Sequence, residues 1–192
     1  MRARTAALAS LLVLAVPSAV AADAKSKPRV VLVEADGREE ELSAFVARFE
    51  SELSDRGKVT FSDARLSGAS LGSLAAEPDG EAARAFRAEW PGDSWLAVSL
   101  ADCRVEVSRM TYRDRTADGY AVDRVVEHVR VDCPATVRAV NAATGKGERS
   151  LSVTGTASYR REVGEEGESS ELEAARDAAE KAAKKLPTIL DR

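Results

Sequence analysis

Apolar residues in the first half of the chain fall into two patterns. Val30, Val31, Leu32 and Val33 form an unbroken run that stops at Asp36-Gly37, and a run this short reads as a strand buried on both faces. Leu42, Phe45, Val46, Phe49 and Leu53 then recur at helical spacing. Asp36 and Glu39 stand three residues apart as in a capping box, and Gly57 supplies the stop. Val59 and Phe61 alternate with polar neighbours and predict a second short strand. Residues 67–80 are rich in glycine and serine and contain Pro78, which predicts a loop with one helical turn around Leu71 and Leu74. A second helix is expected over residues 81–90, with Ala82, Phe86 and Trp90 on one face and Pro91-Gly92 closing it.

The second half changes to long alternating segments, 94–112, 122–141 and 148–161, the last two joined through residues 142–147. Consecutive strands with short connections make an antiparallel meander. A glycine- and glutamate-rich linker at 164–169 leads to a final helix beginning at Ser170, with Glu173 completing a capping box. Its stripe is Leu172, Ala175, Ala179, Ala182, Leu186 and Ile189, and Pro187 is expected to end or kink it. The order predicts an α/β (α+β) fold: a mixed sheet built as β-α-β-α and then a three-stranded antiparallel meander, with a C-terminal helix and all helices packed on the sheet. Alanine-rich helix faces lie close to a sheet, so an aromatic content of only 5% does not imply a weak core.

The two cysteines sharpen the meander. Cys103 and Cys133 are symmetric about Asp118, inside a turn-like run, as in a hairpin with the cysteines opposite each other. That register sets Arg104 against Asp132, Glu106 against Arg130, Arg109 against Glu127, Val105 against Val131 and Val107 against Val129. Three opposed pairs of opposite charge support it. Ala117-Asp118-Gly119 suits a three-residue connection whose last residue takes positive φ.

Whether the thiols join depends on compartment. Arg2 and Arg4 precede an apolar run over residues 6–16, then Pro17-Ser18 and Ala19-Val20-Ala21, which reads as a signal peptide over 1–21 with cleavage near Ala21. The run is about half of the ~20 residues that span a bilayer, and no cysteine stands at the cleavage region, so neither a transmembrane anchor nor lipidation is expected. Residues 22–192 suit one envelope domain. In an exporting, oxidising setting the cysteines are expected to be bonded, contributing on the order of 3 kcal/mol. Loss of Arg2 and Arg4 makes the formal charge of −4 more negative by two, which gives no reason to expect nucleic-acid binding.

Chemistry is sparse. The one histidine, His128, falls mid-strand opposite Ser108, a position more typical of a packed or solvated side chain than of a catalyst. Zinc needs three or four N/S ligands, and both sulfurs are committed to each other. The serine-rich segment 67–73 has no nucleophile elbow, and Gly145-Lys146 lacks the upstream glycine and following Ser/Thr of a phosphate-binding loop. No enzyme activity, metal or cofactor is expected.

A resemblance adds to this reading. Val30 to Val33, then Gly92-Asp93-Ser94-Trp95-Leu96-Ala97-Val98, then Arg138-Ala139-Val140-Asn141-Ala142-Ala143-Thr144-Gly145-Lys146 resemble a periplasmic domain shared by the curli-type secretion channel protein, the amino-terminal domain of TolB and the outer-membrane activators of penicillin-binding proteins. The resemblance implies a periplasmic, non-enzymatic binding or adaptor protein that contacts an envelope protein partner in secretion or wall assembly. The hairpin strands are long enough to project beyond a small domain as an arm, or else to curl around it. The arm's tip carries Tyr112, Arg113, Arg115 and Tyr120, residue types enriched where proteins bind proteins. The competing expectation is a soluble carrier or sensor holding a small ligand between the helices and the sheet.

Overall fold

The computed structural model describes residues 27–163 and 170–190; the leader at 1–21 and the linker at 164–169 lie outside them. Strand β1 (Arg29–Asp36) is followed by α1 (Glu39–Arg56), β2 (Thr60–Asp63), the short α2 (Leu71–Ala76), α3 (Glu81–Glu89), β3 (Ser94–Leu100), β4 (Arg104–Arg115), β5 (Ala121–Asn141), β6 (Arg149–Glu162) and α4 (Ser170–Leu190). The fold is α+β on one mixed six-stranded open sheet. β1 pairs in parallel with β2 and β3, while β3, β4 and β6 all pair antiparallel with β5.

The expected strand 94–112 is interrupted. β3 and β4 follow one another along the same side of β5, but Leu100 faces Ala135 while Arg104 faces Asp132. Three residues, 101–103, therefore oppose two, 133 and 134, which is a β-bulge. Pro134 explains its location: proline has no N–H to give a ladder, and inside a sheet it is tolerated at such irregularities. The Pro134 carbonyl still accepts from the Ala101 N–H at 3.0 Å.

Two cores flank the sheet. On one face Val30, Leu32, Leu96, Val98 and the alternate residues of β5 from Val129 to Ala139 pack against α1 and α4. On the other, Val31, Val33, Trp95 and Ala97 meet Leu71 and Leu74 of α2 and Ala83 and Phe86 of α3. Ala83, not Ala82, is the buried partner of Phe86; both spacings share a helix face, and the direction from which α3 meets the sheet selects Ala83. The α4 stripe is broader than expected, adding Ala174, Ala178 and Ala183, and the helix runs past Pro187 to Leu190. Close approach is what makes this possible: a Cβ on Gly155 of β6 would collide with the Ala174 carbonyl and the Ala178 backbone.

The capping box at Asp36 does not form. Asp36 ends β1, the N-cap of α1 is Arg38 with no side-chain cap, and Arg38 instead pairs with Glu41 at 3.1 Å. Gly57 closes the helix with φ 57° as expected. The residues carrying the family resemblance tie elements together. Asp93 accepts from the Arg29 N–H at 2.7 Å, and Asn141 accepts from the Ala143 and Thr144 N–H groups, holding the β5–β6 turn.

Candidate functional site: a disulfide-rooted arm

β5 has 21 residues, about 70 Å of extended chain at ~3.3 Å per residue. Only its second half lies over the helices. The first half forms an arm with β4, whose twelve residues are exposed on both faces except for half-buried Asp114. β6 accompanies β5 as far as Val126, opposite Glu162; beyond it the arm is a two-stranded ribbon.

The expected register holds at every position named for it, from Arg104 opposite Asp132 to Arg109 opposite Glu127. Cys103 and Cys133 are disulfide-bonded with Cα atoms 4.2 Å apart, inside the bulge where the arm leaves the body. Cys133 is fully buried, and its sulfur lies 3.6 Å from the Glu171 carbonyl at the start of α4. At the far end Gly119 takes φ 83°, its N–H donates to the Thr116 carbonyl at 2.8 Å, and the Thr116 N–H donates to the Tyr120 carbonyl at 2.9 Å. This is the expected three-residue connection.

Of the three opposed charge pairs, Arg109 and Glu127 close at 3.1 Å, and Glu127 also accepts from Arg161 of β6 at 2.9 Å. Arg130 turns to Asp132 on its own strand at 3.2 Å. The Arg109–Glu127–Arg161 bridge binds three strands together just before β6 ends and the two-stranded part of the arm begins. Glu127 is only 6% exposed because the two guanidinium side chains lie over it, not because it sits deep in the core. Hydrogen bonds from Arg161 first and Arg109 second hold its carboxyl below the ordinary range, against the opposing effect of desolvation.

Strand alternation separates the four contact residues expected at the tip. Tyr112 shares a face with Tyr120, while Arg113 and Arg115 lie on the opposite face. Arg113 is 3.8 Å from Asp123, directly across the ribbon. The tyrosine face also carries Met110 and Val122; these four side chains are 41–74% exposed. The other face exposes Val105, Val107 and Val125. Met110, Val122 and Val125 carry no sequence expectation of contact, and Val105 and Val107 enter the sequence pattern only as register partners of Val131 and Val129. The available signal was that apolar residues alternate on both faces of this hairpin although the body has enough apolar surface without them.

Other placements offer less. His128 is half-buried mid-strand opposite Ser108, as expected, and among the described residues no three His, Cys, Asp or Glu side chains cluster as metal ligands. Between α4 and β6 the contact is closed at Ala174, Ala178 and Gly155, while at the other end of α4 a cavity of about 220 Å³ opens among Ala139, Asn141, Arg149, Ile189 and Leu190. Among the described residues no helix is long and apolar enough to cross a membrane.

No family model and no curated protein matches the chain. Solved structures do. The chain is similar to the PelC dodecamer from Paraburkholderia phytofirmans, with 11% identity, TM-score 0.41, and coverage of 81% of this chain and 83% of that one. It is also similar to lipoprotein GNA1162 from Neisseria meningitidis, with 12% identity, TM-score 0.35, and coverage of 86% and 99%. A third, a minor lipoprotein from Acinetobacter baumannii, has 10% identity, TM-score 0.33, and coverage of 85% and 92%.

Proposed function

We propose that this is a non-enzymatic, exported binding or adaptor protein of the bacterial cell envelope, and that its β4–β5 arm is the surface that meets a protein partner. The observation that carries the reading is the tyrosine face of the arm: Met110, Tyr112, Tyr120 and Val122 are all exposed on a ribbon that no helix among the described residues covers. Aromatic and methionine side chains concentrated on one exposed face are the composition of binding surfaces, and apolar side chains gathered in one patch mark contact sites. The disulfide at the arm's root and the Glu127 bridge further out support the role by fixing the ribbon, so that less order is lost on binding. The reading extends to a periplasmic location after cleavage near Ala21, and to the secretion or wall-assembly setting that the family resemblance implies.

The test is co-purification from envelope extracts. The doubly substituted Tyr112→Ala/Tyr120→Ala protein, folded and exported normally, is expected to lose partners that the unaltered protein retains. An unchanged partner set would overturn the arm as contact surface.

A further inference from the structure

The face of the β4–β5–β6 ribbon that carries the tyrosines continues toward the body as a polar surface with no helix over it among the described residues, and its charges there are matched row by row. Arg104 faces Asp132, Arg130 faces Glu106 and bonds Asp132, and Arg124 bonds Asp114 and Glu162 at 3.2 and 3.1 Å. One row departs from this rule. Ser108 of β4 faces His128 of β5, and His128 faces Arg160 of β6. Two basic side chains directly opposite one another contribute nothing to strand pairing. Among the described residues Arg160 has no ion-pair partner, in contrast to Arg161 beside it, which is held by Glu127 on the other face.

Several donors share this face around the row. His128, Arg130, Thr156 and Ser158 line a shallow depression, and Arg160 follows Ser158 on the same face of β6. Arg130 reaches Asp132 through its Nε, which leaves the terminal N–H groups of its guanidinium fork for another acceptor. The Ser108 hydroxyl has only a long contact, 3.4 Å, to the His128 carbonyl. The Arg160 guanidinium, the His128 imidazole and the terminal N–H groups of Arg130 thus have no acceptor among the described residues. We propose that the row Ser108, His128 and Arg160, with Arg130 and Ser158 beside it, binds an oxyanion, a phosphate or carboxylate group carried by a ligand. Guanidinium forks match the paired oxygens of either group. Glu106 on one side and Glu162 on the other bound the site, which restricts it to a single oxyanion and disfavours an extended polyanion.

His128 is the chain's one histidine, so its imidazole resonances report the site without ambiguity. The purified protein is titrated with sodium phosphate, and separately with sodium acetate, at fixed pH and with sodium chloride holding ionic strength constant. The expected result is a saturable shift of the His128 ring signals with at least one of the two. Arg160→Gln is expected to weaken that binding at least ten-fold, while Arg115→Gln, at the distant arm tip, leaves it unchanged. Saturation with phosphate alone or acetate alone identifies which oxyanion the site prefers. A shift that stays linear with both anions, or that is the same in Arg160→Gln, overturns the proposal. Neither outcome bears on the arm's protein contact, which is read by a separate experiment.

Discussion

One substitution, glycine to alanine, is expected to act with opposite sign at two positions of this protein. At Gly155 an added Cβ would sit 2.7 Å from the Ala178 Cβ and would also strike the Ala174 carbonyl and the Ala178 N–H. Carbon atoms pack at about 3.5–4.0 Å, so α4 must lift off β6 by roughly 1 Å. The obstructing atoms are helix backbone, which has no rotamer into which to retreat. A gap of 0.5–1 Å forfeits about a quarter to a half of each dispersion contact, and here it opens along a stripe that includes Ala174, Ala175, Ala178 and Ala182, all fully buried. Overpacking of a well-packed core costs about 1–3 kcal/mol, and a helix that must move as a body belongs at the upper end. Gly155→Ala is therefore expected to destabilise by about 3 kcal/mol, a fall in Tm of roughly 6–12 °C for a chain of this size. At Gly72, inside α2, a new Cβ meets nothing within 4 Å. There alanine is expected to stabilise by about 0.5–1 kcal/mol through helix propensity alone. Urea unfolding of the two variants beside the parent measures both, with the slope m unchanged. If Gly155→Ala unfolds at the parental midpoint, the close seating of α4 on β6 is wrong.

Joint replacement of Cys103 and Cys133 by serine, which opens a loop of sequence separation 30, is expected to cost about 3.5 kcal/mol by chain entropy, read as a lower midpoint in denaturant; intact mass under non-reducing conditions should fall two hydrogens short of the dithiol form. Because Glu127 has a folded pKa below its ordinary 4.5, its contribution is complete above that value and is lost as pH falls through the lower folded pKa. Arg161→Gln should flatten this acid-side loss of stability more than Arg109→Gln, as measured by unfolding midpoints across that range, and equal slopes in the two variants would contradict the order of the two hydrogen bonds. Tyr112→Ala and Tyr120→Ala, being exposed, should each change stability by no more than about 0.5 kcal/mol, so thermal melts matching the parent would separate lost contact from lost fold.

Local pattern carried the reading a long way where a single period ruled. The run Val30 to Val33, the α1 stripe and the charge-matched register of β4 on β5 are each determined by neighbours in sequence or by one pairing rule, and all three recur in the structure. Errors appeared where two elements compete for the same residue. Asp36 was needed both as the last residue of β1 and as a cap for α1, and the strand took it. Ala82 and Ala83 are equivalent by composition, and only the direction from which α3 meets the sheet chooses between them.

For the arm, the chain by itself determined length, register, disulfide and turn, because a hairpin's pairing is set by residues that oppose each other at fixed arithmetic. It also determined that few chemically reactive groups are present. Only the tertiary structure decided which stretch of the hairpin is covered. That depends on where α1 and α4 end over the sheet, on the bulge opposite Pro134, and on β6 stopping at Glu162. Those three facts leave Val105, Val107, Val125, Met110 and Val122 exposed beside the tyrosines expected at the tip, and set Arg160 across from His128 with no acid between them. Burial is a property of what packs on a strand, and strand pattern alone does not contain it.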